Sequence, residues 1–318
     1  MIGDRWENLG SEGTGQDEKF TVTRREVLRG LTGASLGATL SCAVQRSAFA
    51  KGIAQRSGIQ FGAQTNAWAI DPKSLDSFLA VLGQIRQTGY AGFETGFGNV
   101  AGQFANPQEA RRRIASTGLK FFGVHIFLPA DRYDPSTHIA PASLYEQVAT
   151  GGAALGARYL VLSGAPAQSE EELKAKIAGL NAAGKFSKSV GVGLAYHNHG
   201  PEFESKVREI EALYVHSDPE LVSFLLDAGH AYRAGADVPA FLRTNQARIV
   251  GIHLRDYRNG QQVPLGQGTF PLALVSGVLK QLAWTGWVLN EEEREDGTKA
   301  GLKFMEPAFK AMQAAFSQ

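Results

Sequence analysis

Six short segments of this 318-residue chain end in groups able to hold a cation or move a proton. They are Phe93-Glu94-Thr95-Gly96, Val124-His125-Ile126, Tyr196-His197-Asn198-His199, Leu226-Asp227-Ala228-Gly229-His230, His253-Leu254-Arg255-Asp256 and Asn290-Glu291-Glu292-Glu293. Five of the seven histidines fall in them; His138 and His216 fall elsewhere and read as solvated side chains. Buried together, so many imidazoles and carboxylates would be costly unless a positive charge neutralised them. A divalent cation does this directly, and carboxylate oxygens with imidazole nitrogens suit Mn, Co, Mg or Zn. Cys42 is the only cysteine, so this chain offers neither an internal disulfide nor a cysteine-based zinc site.

Those segments must be brought to one place, and the hydrophobic pattern shows how. From residue 59 onward, short apolar runs alternate with longer amphipathic ones. Strands are expected over 59–68, 90–97, 119–127, 159–163, 192–199, 222–230, 249–257 and 286–291. Helices are expected over 74–88, 107–116 (entered through Asn106 as N-cap), 143–155, 170–189, 207–215, 239–245, 272–282 and 301–316. Eight strands, each followed by a helix, imply an α/β fold: a single (β/α)8 TIM barrel. A doubly wound open sheet is disfavoured, because no G-x-G-x-x-G follows the first strand. In a barrel the reactive groups stand where strands end, and the six segments end there.

Composition sets the class. Hydrophobic residues make up 43% and charged residues 20%, ordinary for one soluble domain. The net charge is +1 and is unchanged when residues 1–50 are left out, so nucleic acid is not an expected partner. Residues 1–50 read as a twin-arginine (Tat) signal peptide. Arg24-Arg25 precede a mildly apolar run from Leu31 to Val44, and Ser47-Ala48-Phe49-Ala50 supplies the small residues of a cleavage site. That run is too short for a stable membrane anchor. Passage through the Tat translocase, a periplasmic location and a mature domain of residues 51–318 are the expectations. A homo-oligomer is left open.

Four of the motifs, taken together, carry a family resemblance. A-Y-H-N-H-G-P-E-F (195–203), L-D-A-G-H (226–230), H-L-R-D with P-L-G-Q-G (253–256, 264–268) and G-W-V-L-N-E (286–291) stand in matching order and spacing. With them the chain resembles the xylose isomerase-like TIM barrels, a superfamily of sugar isomerases, epimerases and related lyases. The resemblance spans residues 59–316. It implies one divalent metal ion held by Asp227, His253 and Glu291, with Glu293 as the alternative to Glu291. Where many members have E-N-H, this chain has His197-Asn198-His199. The resemblance then implies His197 as the fourth ligand, with His199 behind it or facing substrate, and Glu202 as a rival ligand. It further implies that Glu94, His125 and His230 contact substrate hydroxyls. Arg255 reads as an anion or hydroxyl contact, and Trp68 with Phe97 as an apolar wall for a sugar face.

The histidine bears on mechanism. Two-base members use two ligand carboxylates on opposite faces of the substrate carbon, and here Glu291 is the one obvious carboxylate base. Three routes stay open: one-base aldose–ketose transfer, a second base from Glu94 or Glu202, or an elimination. The resemblance implies a metal-dependent isomerase or epimerase enolising a keto sugar. The alternative is a lyase that acts by β-elimination on a 3-keto-glycoside, which an exported enzyme favours. A repair endonuclease would need more ligands and a basic face, and a non-catalytic sugar binder would not need the Asp227, His253, Glu291 set.

Overall fold

The computed structural model describes residues 58–294 and 296–317. The export signal read at residues 1–50 lies outside the described residues. Ten strands occur among those described: β1 (Gln60–Gln64), β2 (Gly92–Gly96), β3 (Lys120–Ile126), β4 (Tyr159–Leu162), β5 (Gly193–His197), β6 (Val222–Asp227), β7 (Ile249–Leu254), β8 (Asp256–Arg258), β9 (Gln261–Val263) and β10 (Trp287–Asn290). All but β8 and β9 close into one parallel barrel in the order β1-β10-β7-β6-β5-β4-β3-β2. The helices are α1 (Leu75–Thr88), α2 (Pro107–Ser116), α3 (Ala142–Leu155), α4 (Glu170–Ser189), α5 (Pro201–Glu204), α6 (Glu209–His216), α7 (Ala228–Arg233), α8 (Val238–Asn245), α9 (Leu272–Gln281) and α10 (Leu302–Ser317). Among the described residues no helix is long and apolar enough to cross a membrane.

Local chemistry starts and stops these helices. Ser74 and Ser169 each accept a hydrogen bond from the backbone three residues on, capping α1 and α4. Three glutamates open α4 at its positive end. Gly89 ends α1 in the left-handed region, at φ 108°. Asn106 does stand at the start of α2, but its side chain makes no capping bond there.

The barrel interior is layered by the strand pleat, which sends alternate side chains to the same side. Val161, Ala195, Leu225 and Leu289 pack with Phe122, Tyr159 and Trp287 in a buried apolar cluster. Two residues further along the same strands stand Ser163, His197, Asp227 and Glu291, all buried. One layer is therefore a plug and the next is polar. Glycines make room for the plug: a Cβ on Gly92 would lie 2.5 Å from the Trp287 ring, and one on Gly251 would lie 2.7 Å from Leu225 Cδ1.

The structure shortens several expected strands. β1 ends at Gln64, where a 3-10 turn (Thr65–Ala67) takes over. β6 ends at Asp227, whose carboxylate caps α7 by accepting from His230 N at 2.7 Å. The expected strand 249–257 breaks after Leu254 into β7 and the β8–β9 hairpin. Asp256 explains the break. Its carboxylate accepts hydrogen bonds from the backbone of Tyr257, Gly266, Gly268 and Phe270, gathering the P-L-G-Q-G loop around one side chain.

Candidate functional site

His197, Asp227, His253 and Glu291 come from the ends of four adjacent strands. Each offers one ligand atom, and those atoms lie within 4.8 Å of one another. His197 Nε2 is 3.0 Å from His253 Nδ1, 3.5 Å from Asp227 Oδ2 and 3.7 Å from Glu291 Oε2. His253 Nδ1 also contacts Glu291 Oε2.

The hydrogen bonds behind the cluster fix what its nitrogens present. His253 Nε2 bonds Glu94 Oε2 at 2.9 Å, and a carboxylate can only accept, so Nε2 carries the proton. In the neutral ring, Nδ1 then faces the cluster as a lone pair. His197 Nδ1 faces the Ser163 hydroxyl at 3.3 Å, and that hydroxyl is 2.9 Å from His125 Nε2. His125 Nδ1 lies 3.1 Å from Glu94 Oε1, less well aligned. One assignment satisfies the chain: His197 Nδ1–H donates to Ser163, Ser163 to His125 Nε2, and His125 Nδ1–H points to Glu94. That leaves His197 Nε2 as a second lone pair.

Two lone pairs 3.0 Å apart repel unless something positive sits between them. Glu291 Oε2 adds to the demand: it is buried without a well-aligned hydrogen bond, although Arg255 Nη2 lies 2.8 Å away. Two imidazoles and two carboxylates so arranged fit one divalent ion. A proton can also bridge them. Burial opposes charge on His253, but Glu94 and Glu291 outweigh it and push the imidazole up to about 10.

Glu94 is corrected by its position. Read as a substrate contact or second base, it is fully buried behind His125 and His253 and does not line the cavity. Burial pushes its carboxyl up, but His253 and His125 overcome this and hold it down at about 2. A carboxylate behind a ligand histidine fixes the ring's tautomer, and losing such a partner typically costs about 10–100-fold in metal affinity. For a metal held by this cluster, Glu94→Gln is expected to weaken binding by about that factor, read by competition with a chelator. Unchanged affinity would remove Glu94 from this role.

A cavity of about 590 Å³ opens above the cluster, bounded by His125, His197, His199, His230, Arg255 and Glu291 among others. Phe97 and Phe127 stand at its rim. Trp68 does not line it. Its indole N–H donates to Gln84 at 2.7 Å, because the early end of β1 turns it behind the rim. Arg255 lines the cavity while paired with three carboxylates: Nε donates to Asp227 Oδ2 at 2.7 Å, Nη1 donates to Glu293 Oε2 at 3.4 Å, and Nη2 lies 2.8 Å from Glu291 Oε2. Glu202 lies outside the four-residue cluster, accepting from Tyr196 Oη at 2.8 Å and His199 N at 3.1 Å. Glu293 sits at the rim, with its side chain 43% exposed.

Two further cavity histidines, His199 and His230, are kept neutral. Burial, reinforced by His197 and His230, holds His199 well below the ordinary value. Burial also takes His230 down to about 4 against the pull of Asp227. Three polar residues of the site were given no role from the sequence. Asn66 Nδ2 donates to Glu291 Oε1 at 2.8 Å. Asn198 grips the backbone of Asp227 at both its N–H (3.0 Å) and its C=O (3.1 Å). Ser163 joins two histidines. Its position at the end of β4, two residues after Val161, was the available signal.

The family model for the xylose isomerase-like TIM barrel matches residues 82–308. The chain belongs to that family. Within reach of this xylose isomerase-like barrel is an inosose dehydratase from Clostridium tetani, 31% identical over 167 residues that cover 46% of this chain and 56% of that protein. The chain spans about half the length of the curated relatives it matches. Among solved structures, an L-ribulose 3-epimerase superposes with a TM-score of 0.65 at 17% identity, over 81% of this chain and 95% of the other. A 3-keto-D-glucoside 4-epimerase from E. coli gives 0.61 at 16%, over 82% and 100%. At such identities the likeness is one of fold.

Proposed function

We propose that this barrel is a divalent-metal-dependent lyase that enolises a polyhydroxylated ketone, a keto sugar or keto cyclitol, and expels the oxygen substituent β to the carbonyl. The observation that carries this reading is the cluster itself: its β5 position holds His197, and Glu291 is its only carboxylate that lines the cavity. The dehydratase name of the C. tetani relative supports it.

When bound, the metal would polarise the substrate carbonyl and stabilise negative charge on its oxygen. His197, Asp227, His253 and Glu291 would hold it. Glu291 takes the proton from the carbon beside the carbonyl. The C–H electron pair becomes the new C=C bond, and the β C–O bond breaks with its electrons on oxygen. The carboxyl group formed at Glu291 returns its proton to that departing oxygen. His199 and His230, both neutral, are placed to orient the substrate oxygens by hydrogen bonding. One base serves both transfers, so no second carboxylate is required.

One-base aldose–ketose transfer would also run on Glu291 alone and is the second reading, in line with the isomerase or epimerase expectation. Product analysis by NMR in deuterated water separates the two. A lyase releases water or an alcohol and leaves an unsaturated ketone. An isomerase conserves substrate mass and places deuterium, or an internally transferred proton, beside the carbonyl. Mass-conserved product alone would overturn the lyase reading.

Metal uptake should depend on pH with a defined sign. The ligand form of His253 is neutral, while the ring is held charged up to about 10. Binding below that pH therefore releases a proton from His253, and, since Asp227 and Glu291 raise the His197 imidazole against the effect of burial, His197 adds to the release; affinity should rise by at least about tenfold per pH unit between 6 and 8. Titration in buffers of different ionisation enthalpy counts that proton; a count of zero would contradict the arrangement. Export belongs to the same proposal. Changing Arg24 and Arg25 together to Lys is expected to retain an uncleaved precursor in the cytoplasm, seen by fractionation.

A further inference from the structure

A second cavity of about 300 Å³ adjoins the first and shares His199, His230 and Arg233 with it. Gly200, Pro201, Glu204 and Ala234 supply its other walls. It lies beside α5 and α7, at the ends of β5 and β6, on the side of the neutral histidines rather than that of Arg255 and Glu291.

Its emptiness traces to particular residues. Gly200 has ordinary right-handed helical angles, φ −62° and ψ −46°, which any residue can adopt. A Cβ placed on it would meet only Ala234 Cβ, at 3.9 Å. Neither backbone conformation nor crowding demands glycine there. The missing side chain, facing the smallest chiral one, is what leaves the space. The walls are mixed: Pro201, Ala234 and the imidazole faces are apolar or weakly polar, while Glu204 and Arg233 offer hydrogen-bonding groups. Phe127, 58% exposed, places its ring 5.2 Å from that of His199 on the main-cavity side of the boundary. A carbohydrate ring presents this combination, hydroxyls around its edge and an apolar face.

We propose that this side cavity is a leaving-group subsite, so that the substrate is a keto-glycoside whose β substituent is a second sugar ring. The proposal rests on the lyase reading. The reacting ring lies in the main cavity over the cluster, with its β C–O bond directed past His199 and His230. After elimination the unsaturated ketone stays in the main cavity. The released sugar, its oxygen having taken the proton from Glu291, leaves through the side cavity.

The test compares methyl 3-keto-glucoside with 3-keto-cellobiose as substrates of the full-length protein loaded with Mn. The wild type should favour the disaccharide in kcat/KM by about tenfold or more, the scale of a well-filled pocket. Gly200→Leu and Ala234→Phe, which fill the side cavity, should each bring that ratio down to about one. The metal content of each variant, measured on the same sample, shows that the cluster is intact. Equal efficiency on both glycosides in the wild type, or an unaltered ratio in both metal-replete variants, overturns the subsite while leaving the lyase reading in place. Failure to release methanol or glucose from either compound, in a protein that eliminates water from a keto sugar or keto cyclitol, also overturns the subsite; failure to eliminate from any of these overturns the lyase reading itself.

Discussion

Asp227→Ala is expected to yield a folded barrel that retains no stoichiometric metal and turns over no substrate. Asp227 Oδ2 faces both His197 Nε2 and Arg255 Nε, and the substitution deletes one of two carboxylates from a four-membered cluster. Two effects need separating, because Asp227 Oδ1 also caps α7. Loss of an N-cap costs roughly 1 kcal/mol, enough to lower Tm by a few degrees but not to unfold a barrel whose stability resides in its plug. Asp227→Asn keeps an oxygen for the cap and removes only the charge. It should therefore keep the cap, so that its Tm falls only through the lost metal and the weakened pair with buried Arg255, and still lose most of its metal. Elemental analysis beside thermal melts decides the matter: stoichiometric metal in Asp227→Ala would remove Asp227 from the ligand set.

Glu291→Gln should separate holding the metal from moving the proton. The amide keeps an oxygen for the cluster and the shape that Asn66 contacts, but it cannot accept a proton. General-base loss alone lowers kcat by about 10²–10⁴-fold. Metal should be retained, more weakly, because one negative charge has gone. The carboxyl group's electrostatic setting fits an ionised metal ligand. Burial pushes it up, yet Arg255 and His253 together hold it well below the usual carboxylate range. It stays ionised at neutral pH, the form a ligand needs, while so low a carboxyl is by itself a weak proton acceptor. Wild-type turnover in Glu291→Gln would pass the proton to another group, Glu293 being the remaining carboxylate that lines the cavity.

The barrel and the four strand ends were legible because both depend on the same short-period pattern. An apolar residue two positions before His197, Asp227 or Glu291 marks the side of the strand that faces inward. What sequence could not supply was which neighbour stands behind which. Glu94 and Glu291 both end apolar strands, and nothing local tells a residue sealed behind two histidines from one open to a cavity. That difference is set across the barrel, by His253 reaching over to β2. Trp68 was misplaced for a related reason: a strand-like composition continues past Gln64, while Gln64's own side chain closes the turn by accepting from Asn66 N. The break after β7 was hidden in the same way, since Asp256 looks like a site carboxylate and is consumed by four backbone amides. Ser163 escaped because a lone serine carries no weight until two histidines are seen to flank it.

The layered interior has a consequence for anyone seeking to harden this protein. Gly92 and Gly251 stand two residues before Glu94 and His253 on the same pleats, so the rings that fill their empty places form the floor of the polar layer. A methyl group added at either glycine would push Trp287, or Leu225 and Phe122, toward the imidazoles above. Overpacking the plug and detuning the chemistry would then be a single act, and stabilising changes are better sought on the outer helices, where sequence can drift without the site registering it.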